Sequence, residues 1–183
     1  MGSDLKSIPA RLLKSPAQRW IFPVLLLEAI LLRFPFFFRD YIDPDESTFI
    51  LMGQAWVDGY LPYTKLWDIK PPLTFLFFAG IIYVFGKSFI AIRLAGTLVV
   101  ALIGWTTYIL TSRLSNSSTG YVAGIICVML CSLFGSIQGV MSEHLLMGVF
   151  MGSLCLIILE DTLLRRLMAG ILLGAALMIK ISI

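Results

Sequence analysis

Charge is scarce in this chain: only 14% of its 183 residues are Asp, Glu, Lys or Arg, and there is a single histidine. Beside 58% apolar residues and a mean hydropathy of +0.92, that shortage excludes an ordinary soluble domain. It gives no sign of nucleic-acid binding, and no nucleic-acid partner is expected. The net charge of +3 comes from basic residues at the ends of apolar segments, where membrane topology accounts for them. Cysteine is sparse too. Cys127, Cys131 and Cys155 all lie inside apolar runs, so there is no disulfide framework. Cys127 and Cys131 share a helical face, but with no further ligands near them they read as packing thiols. No internal repeat or low-complexity segment is visible.

What is present is a series of apolar stretches near the length of about 20 helical residues that crosses a hydrocarbon core. The pattern predicts an all-α fold, a multi-span transmembrane helical bundle with spans at about 20–38, 89–111, 119–138, 144–160 and 167–183. Lys6, Arg11, Lys14 and Arg19 precede the first span like the charged start of a signal peptide. The run after them is longer than a signal-peptide core and lacks a small-residue cleavage site. It reads as an uncleaved anchor behind a cytoplasmic segment 1–19.

One stretch, 71–86, is ambiguous: Pro71-Pro72 open it and Gly86-Lys87 close it. Basic residues favour the cytoplasmic side, which assigns Arg113 and Arg165-Arg166 there together with the N-terminus. Those clusters fall on one side only if 71–86 does not cross. The expectation is therefore an outer loop, 39–88, in which 71–86 lies along the interface or dips partway in. In this topology the Asn116-Ser117-Ser118 sequon lies inside and is not a glycosylation site.

Small residues recur four apart in the later spans: Gly120 and Gly124, Gly135 and Gly139, Gly148 and Gly152, Gly170 and Gly174. That spacing lets helices approach closely in lipid. The chain stops at Lys180-Ile181-Ser182-Ile183, inside an apolar segment, and a longer protein is the expectation.

Polar chemistry concentrates in the outer loop. Asp43-Pro44-Asp45-Glu46 is followed by a helical-looking stretch, then Gly59-Tyr60-Leu61-Pro62-Tyr63, then Trp67-Asp68-Ile69-Lys70-Pro71-Pro72-Leu73. Ionisable groups at a bilayer edge cost free energy unless they face water, a partner or a substrate, so these are functional candidates. The structural alternative is an acidic helix start, with Asp43 or Asp45 as the cap. For Lys70 it is an amine snorkelling to the interface.

Taken in order, the Asp-Glu pair, Gly-x-x-Pro-Tyr, Trp-Asp-x-Lys-Pro-Pro-Leu, the Arg93-Leu94 pair opening a span and Glu143 before another resemble the GT-C glycosyltransferases. The likeness is to protein O-mannosyltransferase-like enzymes and the aminoarabinose transferases of lipid A, over residues 20–183, and it implies an outer loop containing interfacial amphipathic helices, in agreement with the parity of 71–86. It implies transfer of a sugar from a polyprenyl-phosphate carrier to a glycan, lipid or protein acceptor on the extracytoplasmic side of a cell membrane. It implies Asp45 as catalytic base, with Glu46 supporting it or orienting the acceptor. A carboxylate in hydrogen-bond reach can take the acceptor's proton. Asp43 has no counterpart beyond a cap. Lys70 would meet the carrier phosphate, where a fixed cation offsets the leaving group's charge. Pro71 and Pro72 would set its angle.

By the same resemblance Arg93 reaches the phosphate, Glu143 is a second acid in the cavity, and Lys180 matches a lysine of the relatives. A divalent metal would draw on Glu143, His144 and the first-loop acids, but one histidine is a weak signal for it. Some relatives carry an acid directly before the motif lysine, where this chain has Ile69 and its Asp68 is one position off. A transporter or flippase is the rival reading, since it too keeps ionisable groups in a membrane cavity. An inactive glycosyltransferase remnant is a third.

Overall fold

The computed structural model describes residues 19–133, 138–159 and 162–181. The segment 1–18 with Lys6, Arg11 and Lys14, as well as Gly135, Ser182 and Ile183, lies outside the described residues. Within them every regular element is helical, as expected. The first helix, α1 (Ile21–Arg33), continues into a 3₁₀ turn at Phe34–Phe36. Then follow α2 (Pro44–Val57), α3 (Pro72–Phe85), α4 (Phe89–Leu114), α5 (Ser117–Leu133), α6 (Ser142–Leu159) and α7 (Leu163–Leu177).

Local chemistry sets the boundaries. Asp43 caps α2 by accepting the Asp45 N–H at 2.8 Å, with Pro44 in the first turn. Gly59, at φ +94°, ends it: the N–H of Gly59 bonds Trp56 C=O, and that of Tyr60 bonds Ala55 C=O. Pro71 and Pro72 open α3, and Gly86 at φ +72° stops it. Thr162 caps α7, so that helix begins at Leu163, four residues before the expected span.

Contacts at the helix ends make α1, α4, α5, α6 and α7 alternate in direction. Arg33, ending α1, donates to the carbonyl of Cys131 near the end of α5. Arg93, near the start of α4, donates to Phe36 C=O just after α1. Lys180, after α7, pairs with Glu143 at the start of α6. At the other ends, a Cβ on Gly120 would overlap Ser112 Oγ, and Gly124 lies against the Gly104 carbonyl. The four-residue glycine spacing there does bring α4 and α5 together. Gly170 and Gly174 share the spacing, but a Cβ added at either would meet nothing within 4 Å among the described residues.

The helices α2 and α3 cover the end of this bundle that carries Arg33, Arg93 and Glu143. Phe49 and Met52 of α2 pack on Phe75, Phe78 and Ile82 of α3, and the cluster runs on to Ile92, Val140, Leu145 and Ile179. At Gly53 the two backbones are so close that a Cβ would lie 2.8 Å from Ala79 N. With 14 residues, α3 is about 21 Å long, one residue more than α1 and one fewer than α7, so length does not set it apart from them. Among the described residues one helix, Phe89–Leu114, is long and apolar enough to cross a membrane. Pro72–Phe85, Ser117–Leu133 and Ser142–Ile158 are shorter apolar helices.

Candidate functional site

The acidic start of α2 divides into three roles. Asp43 caps. Asp45 points outward, with its carboxylate 4.0 Å from Lys70 Nζ; the side chains are 52% and 18% exposed, respectively. Glu46, one residue on, turns inward and is 1% exposed. Its Oε2 accepts from Arg93 Nη2 at 3.2 Å and its Oε1 from the Val140 N–H at 2.9 Å. Gly139 leaves room for that carboxylate: a Cβ there would lie 3.1 Å from Glu46 Cδ.

Arg93, expected at the carrier phosphate, is instead 1% exposed and engaged from several sides. Besides Glu46 it donates to the carbonyls of Phe36, at 2.6 Å, and of Arg39. Arg33 is buried alongside, donating to Gln138 C=O at 3.0 Å and Gly139 C=O at 2.7 Å. The two guanidiniums and one carboxylate thus bolt residues 138–140 and the end of α1 onto the start of α2. Glu46 faces this network and not the solvent from which an acceptor would arrive.

Lys70 is held by its backbone. Its N–H donates to Asp68 Oδ1 at 2.8 Å, and its C=O accepts the Tyr63 hydroxyl at 2.6 Å. The end of α7 abuts the next turn. Leu73 N–H donates to Met178 C=O at 3.1 Å, and Thr74 Oγ1 to Ile179 C=O at 2.6 Å. Those bonds satisfy donors and acceptors that helix ends leave open. They also bring Lys180 to the same end of the molecule as Lys70.

Lys180 pairs with Glu143 Oε1, while Ser142 Oγ donates to Oε2 at 3.1 Å. Burial pushes the Glu143 carboxyl up, but bonds from Lys180, the backbone and Ser142 outweigh it and leave the group below the ordinary carboxylate range. His144 stands differently from the metal expectation. Its Nδ1 accepts the Met141 N–H at 3.3 Å, so Nε2 carries the proton toward Cys131 C=O at 3.1 Å. With both ring nitrogens engaged by backbone, it offers no lone pair to an ion. Among the described residues no group of three His, Cys, Asp or Glu side chains converges as metal ligands.

Below these polar groups a cavity of about 330 Å³ is walled by Leu73, Phe77, Leu102, Leu145, Leu172 and Ile179. Glu28, the lone acid inside α1 and absent from the motifs, has its Oε2 buried with no hydrogen-bond partner among the described residues. An acid in an otherwise apolar helix was the available signal.

An all-helical chain with apolar outer faces, gathering a carboxylate and lysines at one end, has the layout of a membrane enzyme working at a surface. The chain belongs to the dolichyl-phosphate-mannose-protein mannosyltransferase family, which it matches over residues 69–183, more than half its length. That makes it a membrane glycosyltransferase of the GT-C type, in line with the motif resemblance. The match takes in Lys70, Arg93, Glu143 and Lys180; Asp45 and Glu46 precede it and come to it through the fold. No curated protein and no solved structure matches the chain.

Proposed function

We propose that the protein crosses the membrane with α1, α4, α5, α6 and α7 and transfers a sugar from a polyprenyl-phosphate carrier to an acceptor on the extracytoplasmic face. Support for the spans comes from their alternating direction and outward apolar side chains, among them Leu27, Leu31, Leu164 and Ile171. Support for the carrier comes from the family's name, which specifies a dolichyl-phosphate sugar. The apolar cavity beneath Lys70 and Lys180 suits an isoprenoid chain.

The observation that carries the reading is the pair Asp45–Lys70. At 4.0 Å it is a loose ion pair with both groups reaching solvent, so a phosphate can enter between them. In the reaction the acceptor hydroxyl attacks the anomeric carbon and gives its proton to Asp45. The new carbon–oxygen bond forms as the bond from that carbon to the phosphate oxygen breaks, inverting the centre. The phosphate leaves on its lipid, its charge met by Lys70. Glu46 and Arg93 hold the start of α2 so that Asp45 faces outward, and Glu143 with Lys180 forms the far wall.

The test is release of carrier phosphate from a polyprenyl-phosphate sugar by the reconstituted protein. Asp45→Asn should cut turnover by a factor of about a hundred or more. Asp43→Asn, which removes only a cap, should cost much less. Equal losses, or a fully active Asp45 variant, would overturn the assignment of the base.

A further inference from the structure

Tyr63 is the only non-glycine residue at positive φ among the described residues, at +69°. It follows Pro62 in a turn closed by Thr64 N–H to Leu61 C=O at 3.2 Å. The residue after proline in a turn needing positive φ is usually glycine or asparagine. A side chain as bulky as tyrosine persists in this region only when its surroundings hold it there.

Two contacts do so. The ring packs edge-on against buried Phe75, centroids 5.9 Å apart, and the hydroxyl reaches across seven residues to Lys70 C=O at 2.6 Å. Asp68 fixes the other side of the same residue through the Lys70 N–H. Pro71, at φ −65°, then removes the rotation that follows. Lys70 is therefore clamped at N–H, C=O and the next residue, and only its side chain is free to move. Glycine at 63 would relieve the turn and lose the hydroxyl, so the strained backbone and the clamp come together. Burial, with the Asp68 charge behind it, pushes the Tyr63 phenol up, which keeps the donating form.

The geometry points to Tyr63 as the positioning residue of the site: through the Lys70 carbonyl it sets the ammonium opposite Asp45 and tightens the grip on a lipid phosphate. This rests on the proposed carrier chemistry, so the test separates the two. The protein in lipid nanodiscs is acylated at low reagent, and Lys70 labelling is read by mass spectrometry against Lys65 as internal reference. Without added phosphate, Tyr63→Phe should raise the relative Lys70 labelling rate about threefold, the effect of losing one hydrogen bond. With undecaprenyl monophosphate as probe, the concentration that half-protects Lys70 should rise about fivefold in the same variant. Tyr63→Gly should show both changes without a matching loss of thermal stability, because the turn strain is relieved. Unchanged labelling and protection in Tyr63→Phe would overturn the inference, and so would a lower melting temperature as its sole effect. If wild-type Lys70 is not protected by the probe, the carrier reading fails, and the labelling rates without phosphate still decide the role of Tyr63.

Discussion

Glu46 and Arg93 are 47 residues apart in the chain and 3.2 Å apart in space, and neither reaches solvent. Asp45, the neighbour of Glu46, makes its ion pair with Lys70 at the surface. Two adjacent carboxylates thus face opposite ways, and burial decides what each contributes. An exposed pair contributes about 0–1 kcal/mol, whereas removing one partner of a buried pair costs about 3–5 kcal/mol.

Arg93→Met should therefore lower unfolding stability by about 3–5 kcal/mol, with Lys70→Met costing less than about 1 kcal/mol. Denaturant unfolding in detergent micelles measures both. Similar losses for the two variants would mean that the buried network is not what anchors α2.

Acid should loosen the contact between α6 and α7. Glu143 binds its proton more weakly in the folded protein than in the unfolded chain. Its stabilisation is therefore complete above the ordinary carboxylate range and disappears as pH falls through the depressed folded value. Glu143→Gln should lower the neutral plateau of the stability–pH curve and flatten its acid limb. A variant curve parallel to wild type across that limb would contradict this.

The proposed crossing pattern leaves Ser88 outside and Ser115 inside, at opposite ends of α4. A cysteine placed at Ser88 should react with an impermeant reagent added to intact cells, and one at Ser115 should react only after permeabilisation. Labelling of both from outside, or the reverse pattern, would end the five-span topology.

The local backbone around the candidate residues was legible in the sequence, because helix starts announce themselves locally. Asp43-Pro44 reads as a helix start, and Lys70-Pro71-Pro72 as a lysine on a fixed backbone. What could not be read depends on chains meeting from far away. Glu46 stands in an acidic helix start, yet Val140 and Arg93 draw it inward. His144 suggests a ligand by its type, while its environment is set by the Met141 amide and the Cys131 carbonyl. Glycine spacing has the same limit: among the described residues, Gly120 and Gly124 meet a neighbour and Gly170 and Gly174 do not. A pattern permits close approach, and only the fold supplies the partner.

The Glu46 network also sets an order of assembly. The ribosome makes Glu46 well before its partners: Arg93 follows 47 residues later and Val140 94 residues later. Until α4 has been made, that carboxylate lacks the bond that Arg93 gives it. The end of the molecule that carries Asp45 and Lys70 is thus tied down late in synthesis, when residues 138–140 arrive and bond Glu46 and Arg33.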